Sequence, residues 1–234
     1  MSNDRFAFKQ FEVYHDRCAM KVGTDAVLLG AWADVVQAHR VLDIGTGTGI
    51  IALMIAQRSK AHITAVDLDE DAVEQAEWNV FISPWCNRIN VIRHDIRSFT
   101  VDDPFDCIVS NPPYFRDNLK SPDQKRTMAR HTDSLSYREL LKSVDSLLSG
   151  DGLFSVILPF HALDSFWSAA MEFNLYPCRQ MQVQTKFSSP IKRVMLELRR
   201  QYSSYTMEHL VLRDEWGRYS EAYRELTKEF YLKL

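Results

Sequence analysis

The chain has 234 residues, 46% hydrophobic and 25% charged, with a formal net charge of −3. That length supports one sizeable α/β domain and is short for two, while the slight acidity excludes a surface coated in positive charge and still permits a local basic patch. No stretch approaches the roughly 20 apolar residues of a membrane span, and the opening MSNDRFAFKQFEVYHDR lacks a signal-peptide core. Cys18, Cys86, Cys107 and Cys178 lie far apart and form no C-x-x-C pair, so neither a disulfide framework nor a zinc site is indicated. A cytoplasmic protein with no metal and no membrane attachment is expected.

In chain order, residues 1–38 read as an N-terminal extension with a helix over Asp25–Ala33, and residues 39–234 as the main domain. Arg40–Ile44 reads as a buried strand, Ile50–Arg58 as a helix and His62–Val66 as a second strand. A helix over Glu70–Phe81 stops before Pro84, and Ile89–Arg93 and Phe105–Ser110 are further strands. Phe115–Ser134 is a polar connection too long for a routine loop. A helix over Leu135–Leu148 then leads to a strand at Leu153–Leu158, and another helix follows Pro159. Extended runs at Arg179–Val183 and Arg193–Leu198 suit an antiparallel hairpin at the sheet edge, and Ser220–Leu232 suits an amphipathic helix capped by Ser220. Alternating strands and helices imply an α/β fold, a mostly parallel sheet with helices on both faces.

The first strand runs into Asp43-Ile44-Gly45-Thr46-Gly47-Thr48-Gly49. The G-x-G-x-G spacing differs from the G-x-G-x-x-G of dinucleotide enzymes, and no G-K-[ST] follows, which excludes an NTPase P-loop. An acid before the loop would repel a pyrophosphate and suits a cationic ligand. The next strand ends in Val66-Asp67-Leu68-Asp69, where a carboxylate is placed to accept both ribose hydroxyls of a nucleoside. After the third strand, His94-Asp95-Ile96 offers an acceptor for an adenine amino group. Taken together, this pattern resembles the cofactor side of Rossmann-like class I methyltransferases. The resemblance implies S-adenosylmethionine as cofactor, a seven-stranded sheet, and Gly45, Gly47 and Gly49 shaping the pocket under the methionine part. It also implies Asp43 near the methionine amino group, Asp67 on the ribose, and Asp95 with the backbone of Ile96 on the adenine.

The fourth strand ends in Asn111-Pro112-Pro113-Tyr114. Two prolines stiffen the backbone, so the side chain of Asn111 and the carbonyl of Pro112 can point outward together. The lone pair of an aromatic amine or amide nitrogen is delocalised and a poor nucleophile. Two fixed acceptors on its hydrogens favour a tetrahedral nitrogen and stabilise the charge that develops on attack. No metal or dedicated base is required, and Tyr114 is placed to stack on a base turned out of its helix or loop. N-P-P-Y is similar to the motif of amino methyltransferases acting on adenine N6, guanine N2 or glutamine amide nitrogen, and Asn111 also borders the cofactor in that resemblance.

Further segments narrow the substrate. Phe8-Lys9-Gln10-Phe11, His15 to Asp25, Leu29-Gly30-Ala31-Trp32, Ser83-Pro84-Trp85 and Tyr219 to Tyr223 together resemble the bacterial tRNA1(Val) (adenine(37)-N6)-methyltransferase family. The resemblance implies N6-methylation of an adenosine next to the anticodon, and Lys21, Thr24 and Asp25 closing over the methionine end of the cofactor. From Tyr114 to Lys142 there are seven basic and four acidic residues. Arg116, Lys120, Lys125, Arg126 and Arg130, with Tyr114, are the expected substrate contacts, and tRNA is the expected partner of a monomeric enzyme. Protein glutamine N5-methylation and DNA adenine methylation share the motif, but the first family carries a helical N-terminal domain and the second a target-recognition domain, neither of which this chain has room for. A nonenzymatic RNA-binding module is the remaining alternative. His15 and His131 read as polar loop residues.

Overall fold

The computed structural model describes residues 4–18, 21–113 and 135–233. Strand pairing begins earlier than expected. β1 (Arg5–Ala7) and β2 (Glu12–Tyr14) form a separate antiparallel hairpin, followed by α1 (Thr24–Trp32). The alternation then runs β3 (Arg40–Ile44), α2 (Ile50–Arg58), β4 (His62–Asp67), α3 (Glu70–Phe81), β5 (Ile89–Arg93) and β6 (Phe105–Ser110). The second half comprises α4 (Tyr137–Leu147), β7 (Leu148–Pro159), α5 (Leu163–Glu172), β8 (Tyr176–Lys186), β9 (Ile191–Arg199), β10 (Thr206–Arg213) and α6 (Glu221–Thr227).

Local chemistry explains the boundaries. Asp69 caps α3 by accepting from the Asp71 and Ala72 amides, and Ser136 with Glu139 forms a reciprocal capping box on α4. Ser220 caps α6 as expected, accepting from Tyr223 N, but the helix stops at Thr227. Beyond it Phe230 N and Tyr231 N both turn back to Thr227 O, and Tyr231 bridges Phe8, so the C-terminus fastens the N-terminal segment. β7 starts five residues before the expected Leu153, because Leu148 pairs with Phe105 ahead of a register shift.

The main sheet has the order β10-β8-β9-β7-β6-β3-β4-β5. It is mostly parallel with helices on both faces, and β9 runs antiparallel between β7 and β8. Among the described residues eight strands stand where seven were expected, and the β8–β9 hairpin is not the edge. β10 adds parallel to β8 outside it, with Met207 opposite Gln180 and Arg213 opposite Lys186. Only Leu210–Leu212 in β10 is a continuous apolar run, so its sequence carries little strand signal. Tertiary contacts secure it: Glu208 accepts from Trp32 Nε1 at 3.2 Å and from Arg179 Nε at 3.0 Å.

Two apolar cores flank the sheet. One joins the β1–β2 segment (Phe8, Phe11, Val13) to α1, α2 and Phe230; the other packs α4 and α5 through Leu141, Val144, Phe166 and Ala170. Chain order reverses between β3 and β6: the chain leaves β3 towards β4 and β5, then returns to β6 on the other side. At such a switch point the flanking loops diverge and leave a crevice at the carboxyl ends of the strands.

Asn79 joins the first core to that crevice. It is fully buried, accepts from Tyr14 N at 2.8 Å, and donates to Tyr14 O and to Thr48 O at 2.9 Å each. Asn79→Ala leaves buried backbone groups in β2 and the glycine turn without partners, and is expected to cost about 2–3 kcal/mol. Urea unfolding checks this: the midpoint falls with the slope unchanged. A loss below about 0.5 kcal/mol would show that this amide ties nothing together.

Candidate active site

The crevice is built by three consecutive strand exits and the end of β6. After Ile44 the chain turns through Gly45, Gly47 and Gly49 with φ of 72°, 55° and 78°. These left-handed values favour glycine. Among the described residues a Cβ on Gly45 or Gly47 would meet nothing within 4 Å, whereas one on Gly49 would lie 3.3 Å from Ala76 Cβ. Gly49 therefore also lets α2 pack against α3. The turn is docked on β4 by Gly45 N to Val66 O at 2.8 Å and Gly47 N to Asp67 Oδ2 at 2.8 Å.

Asp43 lies beneath this turn, wholly buried. Its Oδ2 accepts from Thr46 Oγ1 at 2.6 Å and the Ala52 amide also favours the charged form, while Oδ1 makes no close hydrogen bond among the described residues. Burial pushes the carboxyl up to about 7, with the nearby Asp67 charge acting in the same direction and the Thr46 hydroxyl against it. An unpartnered buried carboxylate oxygen under an open backbone turn fits a cationic group above it. It does not fit a phosphate.

Gly45, Asp67, Asp95, Ile96 and Pro113 share the wall of one cleft of about 170 Å³. Asp67 is held by two amides, Gly47 N on Oδ2 and Asp69 N on Oδ1 at 3.0 Å. Asp95 is occupied more fully. Arg97 reaches both of its oxygens, Nε at 2.9 Å to each and Nη2 to Oδ2 at 2.7 Å, and holds the carboxyl below the usual range. Leu68 and His94 belong to the same wall and were not singled out from the sequence. Leu68 is 48% exposed, an apolar side chain at a strand exit between two acids, and that placement was the available signal.

The Asn-Pro-Pro lip stands beside the glycine turn. Ile44 and Ser110 are partners in the parallel β3–β6 pairing, and Ser110 Oγ donates to Ile44 O at 2.9 Å. Asn111 and Gly45 are the next residues on neighbouring strands about 4.8 Å apart. Asn111 is half-buried, Pro112 buried, and Pro113 exposed on the cleft wall. Tyr114, Arg116, Lys120, Lys125, Arg126 and Arg130 lie outside the described residues.

The N-terminal candidates sit elsewhere on the same edge. Thr24 and Asp25, at the start of α1, line a second cleft of about 270 Å³ with residues of β8, β9 and β10. Asp25 Oδ2 pairs with Arg193 Nε at 2.9 Å. Lys21 is exposed.

Residues 18–138 match the family model described as the methyltransferase small domain. A Bacteroides thetaiotaomicron protein named tRNA1(Val) (adenine(37)-N6)-methyltransferase is 51% identical over the whole of both chains. A Phocaeicola vulgatus protein of the same name is 53% identical, again with both chains fully covered. Among solved structures, a predicted O-methyltransferase from Agrobacterium tumefaciens superposes with a TM-score of 0.71 at 15% identity, covering 88% of this chain and 96% of that one; at that identity the likeness concerns the fold alone. At about half identity over the full length of both chains, this chain belongs to the tRNA1(Val) (adenine(37)-N6)-methyltransferase family.

Proposed function

We propose that this protein transfers a methyl group from S-adenosylmethionine to N6 of an adenosine in tRNA, with the target named for its relatives, adenosine 37 of tRNA1(Val), as substrate. The observation that carries this reading is the adjacency of the Asn-Pro-Pro lip and the open glycine turn on β6 and β3, with Pro113 and Gly45 on one cleft.

S-adenosylmethionine, when bound, supplies an activated methyl on a sulfonium and needs no metal to make it reactive. The protein's part is binding and orientation. The Asp43 charge beneath the turn favours the ammonium of the methionine moiety, and the spare lone pairs of Asp67 suit ribose hydroxyls. Leu68 and Ile96 provide apolar contact for the adenine ring. Because Arg97 already takes both oxygens of Asp95, we assign Asp95 chiefly to shaping this wall, with backbone groups completing recognition. Closure over the methionine end by residues 1–38, through Lys21, Thr24 and Asp25, is the remaining element of the reading. Its link to the sheet is the Asp25–Arg193 pair.

At the lip, the Asn111 side-chain oxygen and the Pro112 carbonyl accept the two hydrogens of the target amine. They turn its lone pair towards the methyl and stabilise positive charge as the N–C bond forms and the C–S bond breaks. The alkylated nitrogen is acidic and releases its proton to water, so no side-chain base is used. Tyr114 is the proposed stacking partner of the extruded base, and Arg116, Lys120, Lys125, Arg126 and Arg130 are proposed phosphate contacts.

Asn111→Ala is expected to lower the single-turnover rate on unmodified tRNA by about 10²–10³-fold while cofactor affinity stays within about twofold. Labelled-methyl transfer followed by nucleoside analysis measures it, and an unchanged rate removes the lip from catalysis.

Asp43 sets a pH dependence with a defined sign. A cation bound above it favours the ionised carboxylate, so the loaded state has the lower pKa. Cofactor affinity therefore rises with pH up to about 7 and then levels. In the unliganded protein the raised value works against folding, and stability contributed by the protonated form is lost as pH rises towards about 7. Titration calorimetry from about pH 5.5 to about pH 8.5 tests the first statement. Asp43→Asn should bind more weakly and lose the slope, and an Asn variant that kept the wild-type slope would refute it.

A further inference from the structure

The parallel register fixes which turns share the catalytic edge. β7 runs parallel to β6, β9 antiparallel to β7, and β8 antiparallel to β9, so the 187–190 turn lies at the same edge as the Asn-Pro-Pro lip. β10 is parallel to β8, which brings the 214–218 turn there too. Each turn presents one exposed aromatic ring: Phe187 is 79% exposed, and Trp216 is 76% exposed with the Arg218 guanidinium over one face at 4.8 Å, leaving the other face open.

Both turns are stiff. Ser189 Oγ accepts from Lys186 N at 3.0 Å and donates to Lys186 O at 2.7 Å, closing the first. Asp214 Oδ1 accepts from Trp216 N at 3.0 Å and Arg218 N at 2.9 Å, and Gly217 takes φ 81°, closing the second. An apolar ring held outward by a rigid turn exposes surface that a mobile loop would tuck away.

Charge follows the rings. Residues 185–193 contain Lys186, Lys192 and Arg193 and no acid. Lys186 is the β-partner of Arg213, and Arg193, paired with Asp25, that of Pro159 at the end of β7, so cations recur along the edge from β7 to β10, where Asp214 and Glu215 are the acids of the last turn. Lys192, Arg193 and Arg213 wall the 270 Å³ cleft. The opposite end of the edge is acidic: Asp67, Asp69, Glu70 and Asp71 follow β4, and Arg93 there is paired with Glu70 at 2.9 Å. A polyanion entering at the lip is drawn towards β10 and repelled from β5.

We propose that the substrate RNA lies along the carboxyl edge of β7, β9, β8 and β10, with Phe187 and Trp216 stacking on unpaired bases and Lys186 and Lys192 contacting phosphates. This rests on the RNA-methylating reading above. The span suits it: four strand spacings of about 4.8 Å separate β6 from β10, about 19 Å, which an extended single strand crosses in a few nucleotides. Every base has a face to stack, so the rings supply affinity near the target without dictating sequence.

The test uses the full-length protein and unmodified tRNA. Phe187→Ala/Trp216→Ala is expected to weaken tRNA binding by about tenfold or more. Lys186→Gln/Lys192→Gln is expected to reduce the slope of log K against log salt by about 1.4 to 1.8. Both should bind S-adenosylmethionine as the wild type does, and Lys60→Gln, at the opposite edge of the sheet just before β4, should leave tRNA binding unchanged. If the wild type methylates tRNA and both double variants bind it normally, the docking surface is wrong and the enzymatic reading stands. If the wild type methylates no tRNA, the reading itself falls and this surface with it.

Discussion

The site depends on one backbone constraint, the parallel pairing that sets Ile44 opposite Ser110. Because both strands end at that level, the two segments that follow must leave the sheet side by side. One is a turn of glycines in left-handed conformations, the other a segment with two prolines. The first can approach a ligand closely where Gly45 and Gly47 lack Cβ atoms, and the second is stiffened by its two proline rings. Ser110 Oγ on Ile44 O reinforces the pairing from inside the core, where the hydrogen bond is shielded from water. A slip of one residue would turn the side chains of β6 to the opposite face and move Asn111 out of line with the turn.

Around that point the carboxyl edge of the sheet divides by charge. On the β3–β4–β5 side, acids sit at each strand exit, and one of them, Asp43, is buried deeply enough to hold its proton near neutrality. This half suits a cationic nucleoside ligand. On the β7–β9–β8–β10 side lysines, arginines and two exposed aromatic rings outnumber the acids Asp25, Asp214 and Glu215, which suits a polyanion with bases to stack. In the proposed reading the division lets a small cation and a large anion meet at one lip without competing for the same surface.

Several features were legible along the chain. The helices Ile50–Arg58 and Glu70–Phe81 carry their own start and stop signals, and both have the expected bounds. The glycine turn, the acids after β3, β4 and β5, and the Asn-Pro-Pro segment could be recognised because each is a local device whose residues are contiguous. The β1–β2 hairpin could not: its strands are three residues each, too short for a period to emerge. β10 was hidden for a related reason. It is an edge strand whose polar residues find partners on other elements, as Glu208 does on Arg179 and Trp32.

What the amino-acid order determined by itself was the chemistry: which backbone turns can form, where prolines stiffen the chain, and which residue types stand at each strand exit. Those properties are set within a few residues, so no fold is needed to state them. Only the tertiary structure decided which of these parts meet. It set Pro113 and Gly45 on one cleft, gave Asp95 to Arg97, paired Asp25 with Arg193 in a separate cleft, and brought Phe187 and Trp216 to the catalytic edge. Each of those outcomes depends on strand order and register, which arise from burial shared over the whole sheet and leave no mark on any single segment.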